Sequence, residues 1–358
     1  MNSKRNEGSD HFSINLYQSG ITSSYMKVEK TKIQCKALIR SIFSEFSGLE
    51  NQTGITDFIL LGLSNTPQIQ NFLLFVFLII FLVTILGNIA VILVINSESH
   101  FQTPMFVFLR HLAFVDICYS SVTVPKMLAN FLMKQKIISW EGCISQIFFL
   151  LQIACTESFI LSAMGYDRYV AICDPLQYSR YLTREMCNKM VGTAWLLGFF
   201  FAIVNVLPLL NLHFCSSNII GHYTCEIPSL LTLSCTDTLT NYIILLISVL
   251  VVSLISFLIT LISYIYIIFT ILKINSAGGR QKAFSTCSSH LIVVCLYYFT
   301  GLICYVKPSP KSRIDLDNIL SIQYSVLTPM LNPIIYSLKN KEILSSADKL
   351  FKKHRPSL

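Results

Sequence analysis

Charge is what this sequence has least of. Only 13% of its 358 residues are Asp, Glu, Lys or Arg, while 53% are hydrophobic; an average soluble domain carries about 25% charged residues. Such a chain cannot cover a water-facing surface, and a membrane protein is expected. Other absences narrow the class. Residues 1–49 contain no apolar run long enough for a secretory signal core, so the first spanning helix is expected to act as the signal. No internal repeat of the kind that builds many transporters is present, and a transporter or channel is the weaker reading. Ser289 and His290 are adjacent, and neighbours on a helix point in different directions, so they make a poor nucleophile and base; the chain is read as no enzyme. The net charge of +8 lies in connectors and tails rather than in a basic stripe, which argues against nucleic acid.

What is present is long apolar runs. A spanning helix needs about 20 mostly apolar residues, and seven such stretches fall at 71–95, 105–129, 143–168, 190–210, 242–272, 283–306 and 316–338. The expected fold is all-α, a seven-transmembrane helix bundle, with an extracellular N-terminal segment at 50–70, the bundle at 71–338 and a cytoplasmic tail at 339–358. The leading residues 1–49 are too polar to repay ordering and are expected to be disordered. Lys339, Lys341, Lys349, Lys352, Lys353 and Arg355 crowd the tail, and Arg180, Arg184, Lys189, Lys273, Arg280 and Lys282 occupy connectors on the same side. The loop at 211–241 has neither Lys nor Arg. The positive-inside rule then places the C-terminus in the cytosol and the N-terminus outside, in a multi-pass plasma-membrane protein. Asn51-Gln52-Thr53, the only sequon with a permitted middle residue, falls outside and is expected to carry glycan at Asn51. A short amphipathic helix is expected after the last span, with Ile343, Leu344 and Leu350 toward membrane lipid.

Cysteines and buried ionisable groups are the chemically informative residues. Cys143, Cys215, Cys225 and Cys235 lie on the outer, oxidising side, where four cysteines allow three pairings. His213, His222 and Glu226 beside Cys215 and Cys225 are zinc-ligand types, but no tight C-x-x-C spacing supports a metal there. Asp116 and Glu157 fall mid-span, where a charge costs about 2.5 to 3.5 kcal/mol on insertion scales. In the third span Arg168 lies 25 positions after Cys143, about 37 Å of helix, enough to cross the bilayer. One face of its outer half presents Ile147, Leu150, Leu151, Ala154 and Cys155, with Ser158 a turn deeper and no carboxylate for an ammonium.

Four separated motifs carry a family resemblance. They are the fifteen-residue run Met164-Gly-Tyr-Asp167-Arg168-Tyr169-Val-Ala-Ile-Cys-Asp-Pro175-Leu-Gln-Tyr178; Pro104-Met105-Phe106; Lys282-Ala-Phe-Ser-Thr-Cys-Ser-Ser-His290-Leu291; and Pro329-Met-Leu-Asn332-Pro333-Ile-Ile-Tyr336. Together they resemble the olfactory receptors, the odorant-sensing branch of the rhodopsin-like G-protein-coupled receptors, over about residues 50–345. The resemblance implies a rhodopsin-like bundle, bridges Cys143–Cys225 and Cys215–Cys235, and no resident cofactor other than a sodium ion. Asp116, Glu157, Asn88 and Asn332 match the polar site that binds sodium in many such receptors; a buried carboxyl pair sharing one proton is the alternative.

By position in the family, the odorant cavity adds Ser248, Val252, Tyr298, Gly301, Leu302, Tyr305 and Ile322 to the third-span face. An apolar cavity with a few hydroxyls suits a small neutral volatile. The switch toward a stimulatory, olfactory-type heterotrimeric G protein, which raises cAMP, is implied for Asp167, Arg168, Tyr169, Pro175, Tyr178, Lys282, His290, Asn332, Pro333 and Tyr336. A small apolar ligand sensed outside the nose is the alternative use of the same receptor. Two departures stand out. Gly165 replaces the family's usual alanine, and Tyr297-Tyr298-Phe299 replaces Phe-Tyr-Gly, leaving Phe299 either to narrow the cavity or to face lipid.

Overall fold

The computed structural model describes residues 57–63, 66–97, 101, 103–133, 135–215, 217–305, 313–339 and 343–346. The expectations for 1–49, for the sequon at Asn51 and for Leu350 lie outside the described residues. Among the described residues seven long helices run in sequence: α1 (Pro67–Ser97), α2 (Pro104–Leu132), α3 (Trp140–Cys173), α4 (Arg184–Val206), α5 (Leu239–Lys273), α6 (Ala277–Tyr305) and α7. The last is composite, with Arg313–Ile322 and Thr328–Lys339 joined through a π turn at Gln323–Leu327.

Each helix starts earlier than hydropathy alone places it. Thr183 accepts the Met186 N–H at 3.2 Å and caps α4 six residues before the apolar run, and Ser139 caps α3 by accepting from Gly142 N at 3.2 Å. Hydropathy reads only the lipid-embedded part, whereas a side-chain oxygen that satisfies a free N–H starts the helix itself. Pro104 at the first position of α2 fits the same logic, because its missing N–H would have had no partner.

One helix, α5, is inverted in polarity. In α5, Ser256, Thr260 and Ser263 are buried while Leu254, Ile255, Phe257, Leu258 and Ile262 are exposed. Water would reverse that pattern, and lipid demands it, because apolar tails solvate the aliphatic face and hydroxyls gain by meeting helix to helix. Among the described residues five helices pass the length and apolarity needed to cross a bilayer, and α6 joins them if its 48° bend is counted within one span. The chain is a multi-pass membrane protein.

α3 is the central helix, packed against α2, α4, α5 and α6. Its closest neighbour is α4, and glycine makes that approach possible: a Cβ at Gly198 would overlap Thr156 Oγ1 and stand 2.5 Å from the Gln152 carbonyl oxygen. At one end of the bundle a three-stranded sheet closes over the helices. β1 (Asp57–Leu60) pairs antiparallel with β2 (Ile137–Ser139) and parallel with β3 (Ile219–Ile220). Period-two alternation sends Phe58 and Leu60 inward, both fully buried, and Phe58 meets Phe214 edge-on at 5.3 Å between ring centroids.

Candidate ligand and signalling site

The sheet end of α3 is fixed by covalent and polar ties. Cys143 bonds to Cys225, with Cα atoms 5.4 Å apart, and Cys215 bonds to Cys235 at 5.9 Å. Both disulfides consume the cysteines that a zinc reading needs, and among the described residues no cluster of three or more His, Cys, Asp or Glu side chains could hold a metal. Gln146, absent from the sequence-based candidates, reinforces the tie: its Oε1 accepts from Cys225 N at 2.9 Å, and its Nε2 donates to the Val122 carbonyl at 3.1 Å. The same loop reaches α7, where Tyr223 donates to Ser321 Oγ at 2.9 Å and Ser321 donates to Glu226 Oε1 at 2.9 Å. Burial pushes the Tyr223 phenol well above its ordinary range, so it stays protonated.

Below this cap lies the face of α3 read as ligand-binding. Ile147, Cys155 and Ser158 are buried, and Leu150, Leu151 and Ala154 are half-buried. Ser158 meets the Tyr297 hydroxyl, and Tyr297 also donates to the Ala154 carbonyl at 3.2 Å. Tyr324, in the π turn of α7, donates to Tyr297 Oη at 3.0 Å. These three side chains join α3, α6 and α7 in a polar floor beneath an apolar wall.

Other expected cavity residues fall in different surroundings. Tyr298 stacks edge-on against Phe257 of α5 at 5.2 Å, and its hydroxyl has no partner in the structure. Its neighbour Tyr297, which sequence reasoning passed over, is the ring turned to α3. Ser248 donates to Asn205 Oδ1 of α4 at 3.0 Å, which makes it a helix-to-helix tie. Val252 is half-buried on α5, and Ile322 packs with Val326 and Tyr223 on the α1–α2–α7 side. The side chains of Gly301, Leu302 and Tyr305 lie outside the described residues. Phe299 is 63% exposed, so the bulky departure from the family triplet faces the outside of the bundle and not the α3 face.

Midway along α2, Asp116 accepts both contacts from Asn332 Nδ2 of α7, at 3.0 and 3.2 Å. Glu157 is buried, and its Oε1 has no hydrogen-bond partner. Asn88 donates to the Thr84 and Pro329 carbonyls at 2.9 and 3.0 Å, fastening α1 to α7, while its Oδ1 stays unpartnered. A sodium ion takes oxygen ligands, and oxygens without partners are what Glu157 and Asn88 offer.

The far end of α3 holds the acid and arginine. Asp167 is fully buried and accepts from Arg168 Nε at 2.9 Å and from Tyr178 Oη at 2.7 Å. Tyr178 is presented by a short helix, Tyr178–Tyr181, that follows exposed Pro175. Burial, then the Asp167 charge, pushes the Tyr178 phenol above its ordinary range, so it remains a donor. His290 is fully buried, with Nε2 3.0 Å from the Leu161 carbonyl and Nδ1 2.8 Å from Tyr264 Oη. A carbonyl can only accept, so Nε2 carries the proton and Nδ1 accepts from the tyrosine. The imidazole thus ties α6 to both α3 and α5. Tyr169 stacks among Tyr166 and Tyr266, Tyr336 is buried, Pro333 packs where α7 meets Gly87 of α1, and Lys282 is exposed at the start of α6.

Comparison with known proteins is consistent in every direction. A family model described as "Olfactory receptor" matches residues 77–354. The human protein named Olfactory receptor 8S1 is 49% identical over 310 residues, 87% of this chain and 86% of the relative. The rat Olfactory receptor 1f45 is 43% identical over 307 residues, covering 86% and 98%, and the human Olfactory receptor 5A1 is 44% identical over 305, covering 85% and 97%. Among solved structures, squid rhodopsin superposes with a TM-score of 0.62 at 17% identity, covering 81% of this chain and 87% of the other.

Proposed function

Because this chain belongs to the olfactory receptor family, whose members are receptors and not enzymes, we propose that it binds a small neutral volatile against α3 and passes the signal to a stimulatory, olfactory-type heterotrimeric G protein that raises cAMP. The observation that carries the reading is the layout of α3. An apolar face fills the sheet-side half above the Ser158–Tyr297–Tyr324 floor at mid-helix, and the Asp167–Arg168 pair stands at the far end.

Dispersion against Leu150, Leu151 and Ala154, with one hydrogen bond to the floor, suits a neutral molecule. In this proposal the disulfide end faces outward and the Arg168 end faces the cytosol at the plasma membrane, as the distribution of Lys and Arg implies. A ligand drives the switch only by binding one state better than the other, and rearranging the Ser158–Tyr297–Tyr324 contacts supplies such a difference because they join three helices. The G protein would meet Arg168, Pro175, Tyr178 and the start of α6.

A sodium ion between Asp116 and Glu157 belongs to the same proposal. It would hold the resting arrangement, and replacing sodium by choline should then lower the receptor's melting temperature; equal melting in both salts would remove the ion from the account. The function itself is tested by screening a volatile library on cells expressing the receptor with a cAMP reporter. At least one neutral volatile should raise cAMP in a dose-dependent way. A receptor at the cell surface whose agonists prove to be amines or peptides would overturn the ligand class.

A further inference from the structure

Away from the ligand face, α3, α4 and α5 enclose a groove of about 390 Å³ on the outside of the bundle. Small buried residues make its floor: Ser162 and Ala163 of α3 and Ala194 of α4. Its long axis follows α4 from Met186 and Lys189, near the Arg168 end, to Leu197. From Met186 to Leu197 the helix rises roughly 16 Å, which is about half of a 30 Å hydrocarbon core and so the depth of one leaflet.

The chemistry changes along that depth. The deep end is apolar, and the mouth carries the Lys189 ammonium, whose side chain is 69% exposed and whose partner Glu185, at 2.7 Å, is equally exposed. An exposed pair of this kind is worth little and exchanges partners readily.

We propose that this groove is a binding site for an anionic phospholipid of the inner leaflet, with one acyl chain along the Ala163–Ala194 floor and the headgroup phosphate or carboxylate on Lys189. The placement in the inner leaflet rests on the orientation given above. Three features choose this occupant: a length of one leaflet, a floor of small residues on the outside of the bundle, and a cation at the depth where anionic headgroups lie. The floor is also the joint between α3 and α5, since Ser162 donates to the Ser256 carbonyl at 3.0 Å and Thr260 approaches Ser162 at 3.4 Å. An acyl chain lying there braces the helix that carries Arg168.

The test uses the full-length receptor in nanodiscs of phosphatidylcholine, doped with phosphatidylserine or phosphatidylcholine probes that carry a photoreactive acyl chain. Phosphatidylserine should label the peptides spanning 159–166 and 186–197 about fivefold more than phosphatidylcholine, the worth of one lysine beside an anionic headgroup. Lys189→Glu should erase that preference, and Ala163→Trp should abolish labelling of these peptides by both probes. Lys189 is exposed, so its replacement spares the fold and carries the test even if Ala163→Trp is not recovered. Equal labelling by the two headgroups, a preference that survives Lys189→Glu, or displacement of the serine probe by cholesterol would overturn the proposal. Both nanodisc leaflets contain the probe, so the outcome does not depend on orientation; protease protection of the C-terminal tail in cells tests orientation separately.

Discussion

Gly165 lies three residues before Arg168, at the point where α3 meets α5 and α6. A Cβ there would stand 3.5 Å from His290 Cε1 and 3.7 Å from the Thr260 Cα and Cγ2, all ordinary van der Waals distances. Alanine therefore fits, and it would add a few dispersion contacts, each about 0.1 to 0.2 kcal/mol, to the arrangement in which His290 ties α6 to α3. Gly165→Ala should lower ligand-free cAMP by about twofold at equal surface abundance; unchanged basal cAMP would show that the missing methyl has no role in the switch. Tyr178 acts in the same sense from the other side. Its bond to the buried Asp167 carboxylate belongs to a class worth about 1.5 to 3 kcal/mol, so Tyr178→Phe should raise basal cAMP severalfold. The phenol is shifted upward in the folded protein, so its contribution is complete below its unfolded pKa of about 10 and is lost only as pH rises through the folded value. Basal activity measured in permeabilised cells between about pH 6 and 8 should not vary through this group.

At the scale of elements, the α3–α4 contact is the most constrained joint. Gly198 lets the helices approach so closely that a methyl would strike Thr156 and the Gln152 carbonyl, neither of which is the free end of a flexible chain. Gly198→Ala should cost about 1 to 3 kcal/mol by overpacking and show as a lower melting temperature and less receptor at the cell surface. Gly192→Ala, on the same helix with open space around its Cβ position, is the matched control and should be neutral or stabilising. The π turn in α7 is a second such element. Its extra residue per turn rotates Tyr324 toward Tyr297 while Thr328 Oγ1 donates to the Gln323 carbonyl at 3.0 Å. π turns recur at functional sites, and here the turn places one member of the cavity floor.

For the whole molecule, hydrophobic run length and the Lys and Arg distribution made the seven helices legible, because lipid leaves a coarse and redundant imprint on sequence. The disulfide pairing and the Asp167–Arg168–Tyr178 cluster were legible only through the family's motifs. Other features were not. β1 and β3 have four and two residues, too short for alternation to register, and they form because the segment before α1 and the α4–α5 loop meet in space. Tyr297 rather than Tyr298 faces α3, and no periodicity distinguishes two adjacent tyrosines on a helix exposed to lipid on one side and protein on the other. Ser248 meets Asn205 across α4 and α5, a pairing invisible from either helix alone. The groove over Ala163 and Ala194 likewise exists only once three helices are packed.

In the function proposed, α3 senses ligand on its sheet side and signals at its Arg168 end. The direct measurement is a cAMP dose–response to one volatile agonist in wild type, Leu151→Ala and Arg168→Ala at matched surface abundance. The account predicts that Leu151→Ala weakens potency about tenfold or more with the maximum intact, from roughly 1.5 to 3 kcal/mol of lost apolar contact, and that Arg168→Ala abolishes the maximum. An Arg168→Ala receptor that still signals fully, or a Leu151→Ala receptor with unaltered potency toward every agonist found, would contradict it.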